Sequence, residues 1–153
     1  MATRQVSHEV TIARDPEAIF DYITDPSRWH EWSPSYLPTN RSFRAQASGQ
    51  QFDIVAKQPL LPLLPLKVTS TLHYVVSRTD RPYLWEVEAD SDLVDIVTSY
   101  TLSRAEEGTV CKRHLRYATK HWLRYAEPLF LKTRIASRAQ SSLEQLKMNL
   151  EPH

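Results

Sequence analysis

Glycine is almost missing from this chain, with only Gly49 and Gly108 present. A glycine-rich loop that cradles a phosphate with backbone amides is therefore excluded, and nucleotide chemistry by that route with it. Cysteine is nearly as scarce: Cys111 stands alone, so no internal disulfide forms. The histidines His8, His30, His73, His114, His121 and His153 are dispersed and never fall at a ligand spacing such as His-x-x-x-His. No metal site is expected from them, and no other cofactor is implied. Serine is plentiful, but no Gly-x-Ser-x-Gly elbow occurs. Charge of one sign is lacking as well, since 19 basic against 18 acidic residues leave a net +1. Without a run of like charges the chain has no electrostatic footprint for nucleic acid. No apolar stretch approaches the length of a membrane span, and the first residues carry no apolar core of signal-peptide length. A cytoplasmic protein is the expectation.

The 153 residues are enough for one domain, 1–153, and at 41% hydrophobic with 24% charged they supply both a core and a soluble surface. Val6, His8, Val10 and Ile12 alternate with Gln5, Ser7, Glu9 and Thr11, the period of a half-buried strand. Asp15-Pro16 then sets up a helix start, the carboxylate accepting from free N–H groups and the proline standing where no donor is needed. The short helix that follows buries Ile19, Phe20 and Ile23. Asp25-Pro26 repeats the device, so a second short helix carries Trp29 and Trp32 until Pro34 ends it. Helices this short must pack on something, and the two tryptophans are their anchors.

Six more strands are expected at 42–46, 51–56, 68–77, 83–89, 93–103 and 109–117, joined in part by hairpin turns at 79–82 and 106–108. A last helix starts at Glu127-Pro128 and runs to about Leu150 without another proline or glycine. The opening segments, above all Asp-Pro-Ser-Arg-Trp-His-Glu-Trp-Ser-Pro at 25–34, resemble those of the START-like, or SRPBCC, superfamily and most of all its polyketide cyclase/dehydrase-like branch. The resemblance covers nearly the whole chain. It implies an α+β helix-grip fold: a curved antiparallel sheet of about seven strands around the long C-terminal helix, two short helices after the first strand, and a cavity between sheet and helix.

Parity places Leu72, Tyr74 and Val76, then Trp85, Val87 and Ala89, then Ile96, Thr98, Tyr100 and Leu102, then Cys111, Arg113, Leu115 and Tyr117 toward the helix. That lining is aromatic and mixed in polarity. It suits an amphipathic ligand, and equally a large core filled by Tyr and Trp with their polar ends at its rim. The helix stripe Leu131, Ile135, Ala139, Ser142, Leu146 and Leu150, flanked by Arg138 and Leu143, is small at its middle. An empty void of roughly 200 Å³ there would cost about 5 kcal/mol, so large sheet side chains, water or a ligand must occupy it, unless helix and sheet pack closely through the small residues. Arg113 in this lining is a buried charge that needs a partner, a ligand carboxylate or enolate among the choices, unless a bulge near Gly108 turns it outward. Arg138 has its stem packed and its head at the mouth.

Prolines at 59, 62 and 65 give a period of three, with five leucines on the remaining edges of the segment. Leaving all five in water would forgo roughly 8–15 kcal/mol, so they must touch something apolar. Leu61 and Leu64 are expected as a lid over the cavity. A permanently packed connection, a lipid surface reached through Leu60 to Leu66, or a second copy of the chain are the other choices, leaving monomer and homodimer both open. Three functions follow from these residues. The preferred one is non-catalytic binding or carriage of a hydrophobic or amphipathic small molecule lined by Trp32, Trp85, Tyr100, Arg113, Tyr117, Leu131, Ile135, Arg138, Ala139 and Ser142. The second is a cyclase- or dehydratase-like enzyme, without metal or nucleotide, in which Arg113 and Tyr100 steer proton transfer. The third is a membrane- or protein-docking module acting through the proline-leucine segment.

Overall fold

The computed structural model describes residues 4–33, 35–38, 44–59, 67–92, 94–120 and 129–151, with backbone alone at 58, 59, 67, 68 and 129–135. In chain order these form β1 (Arg4–Ile12), α1 (Pro16–Ile23), a 3-10 helix (Pro26–Glu31), β2 (Gln51–Pro59), β3 (Lys67–Asp80), β4 (Leu84–Asp90), β5 (Val94–Ala105), β6 (Gly108–Thr119) and α2 (Leu129–Leu150). The strands make one open antiparallel sheet in the order β1-β6-β5-β4-β3-β2. With the C-terminal helix this is an α+β helix-grip arrangement.

Both Asp-Pro signals work as their chemistry requires. The Asp15 carboxylate accepts from Ala18 N–H at 3.2 Å, and Asp25 accepts from Ser27 N–H at 3.1 Å, with a proline next in each case. The second element is a 3-10 turn and not an α-helix, and Trp32 sits at its C-terminal cap. Trp29 locks the turn down: its indole N–H donates to Ile23 O at 2.8 Å, and its ring lies 5.1–6.2 Å from those of Tyr36, Phe52, Tyr74 and Trp85.

Two expectations need correction. The described sheet has six strands, because residues 44–46 of the expected strand 42–46 are irregular. Their backbone serves the core and not a ladder: Ala45 N–H donates to Thr24 O at 2.7 Å, and Ala45 O accepts from the Trp85 indole at 2.7 Å. The bulge near Gly108 is also absent. Register between β5 and β6 is unbroken from Ala105↔Gly108 to Val94↔Thr119, so Arg113 faces inward opposite Tyr100. The irregularity lies instead in β3, between Val76 and Arg78. Gly108 answers to a close approach, since at φ +140° a Cβ there would sit 2.1 Å from Ile12 O.

The core lies between the inner face of the sheet and the helices, around Ile19, Phe20, Ile54, Leu72, Trp85, Val87, Leu143 and Leu146. The C-terminal end of α2 is fastened to the end of β1 by cations suited to a helix C-terminus: Lys147 donates to Thr11 O at 2.6 Å, and Arg14 to Leu150 O at 3.2 Å. The β2 edge is covered by 35–37, where Leu37 N–H meets Val55 O at 3.0 Å and Lys57 N–H meets Ser35 O at 2.7 Å. This brings Tyr36 over the sheet. The proline-leucine segment, with Leu61 and Leu64, lies outside the described residues.

Candidate functional site

A cavity of about 40 Å³ lies between the 3-10 turn, the loop after it and the sheet, lined by Trp29, Trp32, Ser33, Tyr36, Tyr74, Trp85, Val87, Thr98, Tyr100 and Arg113. A space of this size admits ordered water or a small polar group. Aromatic rings take up most of what the small helix positions leave free. Trp32 packs edge-on to Tyr100 at 6.5 Å, and Trp85 lies 5.9 Å from Tyr100.

Arg113 dominates the electrostatics. It is 7% exposed, yet among the described residues no carboxylate pairs with it. Its Nη1 donates to the Tyr100 hydroxyl at 3.4 Å, its Nη2 donates to Ala139 O on α2, and its guanidinium sits 5.9 Å from the Tyr100 ring centre. Among the described residues its Nε has no hydrogen-bond partner, and neither has the buried Trp32 indole N–H. The strand acids stay on the outer face. Glu86 binds Arg78 at 3.0 Å and accepts from Ser77 and Ser99, contacts that pull its carboxyl down to about 2. Asp95 meets Lys120 at 2.9 Å.

Tyr74 and Tyr100 stay protonated. Tyr36 and Tyr74 share a hydroxyl contact at 3.1 Å, and burial holds Tyr74 well above the usual tyrosine range. Burial also raises Tyr100, with the Arg113 charge opposing it. The Tyr74 and Tyr100 hydroxyls donate or accept hydrogen bonds but do not act as bases near neutral pH. Cys111, fully buried, is pushed up to about 12 and carries no thiolate. His8 is directly across from Arg113 in the β1–β6 ladder, half-buried on the inner face; burial first, then the Arg113 charge, lowers its pKa, so its imidazole is neutral at pH 7.

The remaining expected site residues divide. Ala139 is buried and touches Arg113 through its carbonyl, while Ser142 is buried 3.4 Å from Ser33 Oγ. Arg138 is exposed, donating to Ser35 Oγ at 2.6 Å beside the loop. Tyr117 is buried but lies away from this cavity, and Leu131 and Ile135 belong to the part of α2 whose side chains are outside the description. Tyr36 and His8 were not foreseen as site residues. Tyr36 has no periodic neighbours to give it away; His8 was legible in the alternation of β1, but its neighbour across the ladder was not. A larger, open cleft of about 550 Å³ is lined by Tyr117 and, mostly from the outer face, by groups such as His73, Glu88, Asp90, Asp95 and Arg116, and Lys120 pairs with both of its aspartates at 2.7 and 2.9 Å. Among the described residues no cluster of His, Cys, Asp or Glu is disposed to hold a metal ion, and no helix is long and apolar enough to cross a membrane.

A six-stranded antiparallel sheet with a C-terminal helix, among the described residues, defines a START-like fold. Residues 3–151 match the family described as polyketide cyclase / dehydrase and lipid transport, and the chain belongs to that family. Solved structures agree at the level of fold. A protein from Rhodobacter sphaeroides shares 17% identity over 95% of this chain and 91% of its own, with a TM-score of 0.69. A START superfamily protein from Mycobacterium smegmatis shares 12% over 95% and 96%, also at 0.69. The di-domain ARO/CYC StfQ from the steffimycin biosynthetic pathway shares 12% over 97% of this chain and 50% of its own, at 0.70. By sequence, no protein of curated function matches the chain.

Proposed function

We propose that the protein binds or carries a hydrophobic or amphipathic small molecule between the sheet and the C-terminal helix, in the cytoplasm, without transforming it. The observation that carries this reading is the wall itself. Three tryptophans and three tyrosines surround a space whose lining also buries a guanidinium and an indole N–H without a full set of partners among the described residues. A core built only for stability would be aliphatic there, because each buried donor left unsatisfied costs about 1–3 kcal/mol. The family description, which includes lipid transport, supports the reading. Native mass spectrometry of the purified protein, followed by denaturing extraction, tests it: a stoichiometric lipid-like or aromatic companion is the expected result, and an empty, stable protein counts against it.

A second reading, a cyclase- or dehydratase-like enzyme, is favoured by one observation. His8 is a neutral imidazole beside the Arg113 charge, so a base and an enolate-stabilising cation stand together on the inner face. Turnover of a β-polyketone analogue that His8→Gln abolishes, with the fold intact by circular dichroism, would select this reading over carriage.

A further inference from the structure

We propose, resting on the binding reading above, that the inner cavity is an oxyanion seat: the bound molecule carries a carboxylate or an enolate whose oxygens accept hydrogen bonds from Arg113 Nε and Trp32 Nε1. Polar bookkeeping around the cavity points to this one class. The Trp29 and Trp85 indoles are already satisfied by Ile23 O and Ala45 O, and the Tyr36 and Tyr74 hydroxyls bond each other. Among the described residues, the two fully buried side-chain polar atoms of the lining residues without a partner, Arg113 Nε and Trp32 Nε1, are both donors. A complementary group must therefore accept and has no need to donate. Neutral carbonyls and water meet that requirement, but only an anion also compensates a guanidinium that is 7% exposed and has no carboxylate beside it among the described residues.

The size agrees. A space of about 40 Å³ suits a small polar head such as a carboxylate or the oxygen end of an enolate better than the apolar body of a ligand. Sheet acids that might have neutralised Arg113 are held outside by Arg78 and Lys120, so the charge stays available.

The test compares acids with their neutral counterparts by titration calorimetry: 2-naphthoate against 2-naphthalenemethanol, and decanoate against 1-decanol, on protein freed of any companion by denaturing extraction and refolding. Charge-assisted hydrogen bonds predict that each acid binds the wild type on the order of 10- to 100-fold tighter than its alcohol. Arg113→Met is expected to erase that preference, and Trp32→Phe to reduce it by roughly 2- to 10-fold. Equal affinity of acid and alcohol for the wild type, or a preference that survives in Arg113→Met, overturns the anion seat and leaves small-molecule binding standing. If none of the four probes binds, both fall. Should Arg113→Met fail to fold, the wild-type ratios and Trp32→Phe decide alone.

Discussion

Replacing Arg113 by Met should make the ligand-free protein more stable, and the sign of that change separates a binding residue from a structural one. The guanidinium is buried to 7% exposure without an ion-pair partner among the described residues, so it carries desolvation cost without Coulombic repayment. Exchanging buried ionic groups for apolar ones of similar volume is neutral to stabilising by about 1–4 kcal/mol, and Met fills nearly the same path through the core. Against this stand two hydrogen bonds. The one to Tyr100 is long at 3.4 Å, and the Ala139 carbonyl that takes the other still accepts from the next helical turn, so their joint loss costs about 1–2 kcal/mol. The net expectation is a gain of about 1 kcal/mol, read as a Tm higher by about 2–4 °C. Urea unfolding followed by circular dichroism, on protein stripped of ligand by refolding, measures it; any companion left bound would stabilise the wild type by linkage and mask the gain. A loss of about 3 kcal/mol or more would refute the reasoning, because it would make Arg113 a tie between β6 and α2.

Acid stability should depend on Glu86. Its folded pKa, depressed to about 2, contributes stability that is fully present above the ordinary carboxylate pKa of 4.5 and is lost as pH falls from there toward 2. The shift caps the effect at about 3 kcal/mol, and screening at the exposed Arg78 lowers it, so Glu86→Gln should flatten the fall in urea midpoint between pH 5 and pH 2.5; an unchanged slope would contradict the assignment. His8 should titrate below ordinary histidine, and Arg113→Met should raise its pKa by removing the second of its two causes, a change visible in its imidazole proton resonance; a pKa that ignores the substitution would mean the two side chains do not sense each other. Cys111, with no exposed surface and a pKa near 12, should resist a disulfide reagent at pH 8 in the native state and react once in urea; rapid native labelling would mean that the sheet opens.

Much of the fold was legible because it rests on local rules. Period-two alternation fixed the inward set of every strand from Leu72 to Tyr117, and the sheet then obeyed it: Tyr74, Trp85, Tyr100, Cys111 and Arg113 are all buried. The Asp-Pro starts announced both short helices by capping chemistry that acts within three residues. The extra strand at 42–46 failed for the opposite reason. Alternation says that a segment is extended, but what its backbone groups bond to is a tertiary matter, and Ala45 bonds to Thr24 and the Trp85 indole.

The site was less legible because it depends on which inward residues meet. Tyr117 shares the parity of Arg113 but lies four positions further along β6, about 13 Å at strand rise, which takes it out of the cavity. Tyr36 and Tyr74 meet through their hydroxyls across 38 residues of sequence, and only the folding of the 35–37 loop over the β2 edge brings that about. Arg113 is the decisive case. Its inward position hung on the absence of a single bulge, and a one-residue slip would have made it an ordinary exposed cation. Unbroken register commits the charge to the interior, and the nearest strand acids are already held by Arg78 and Lys120 on the other face. Among the described residues, a buried cation that the sheet neither turns outward nor neutralises destabilises the empty protein, and it is this cost that the proposed anionic ligand would offset on binding.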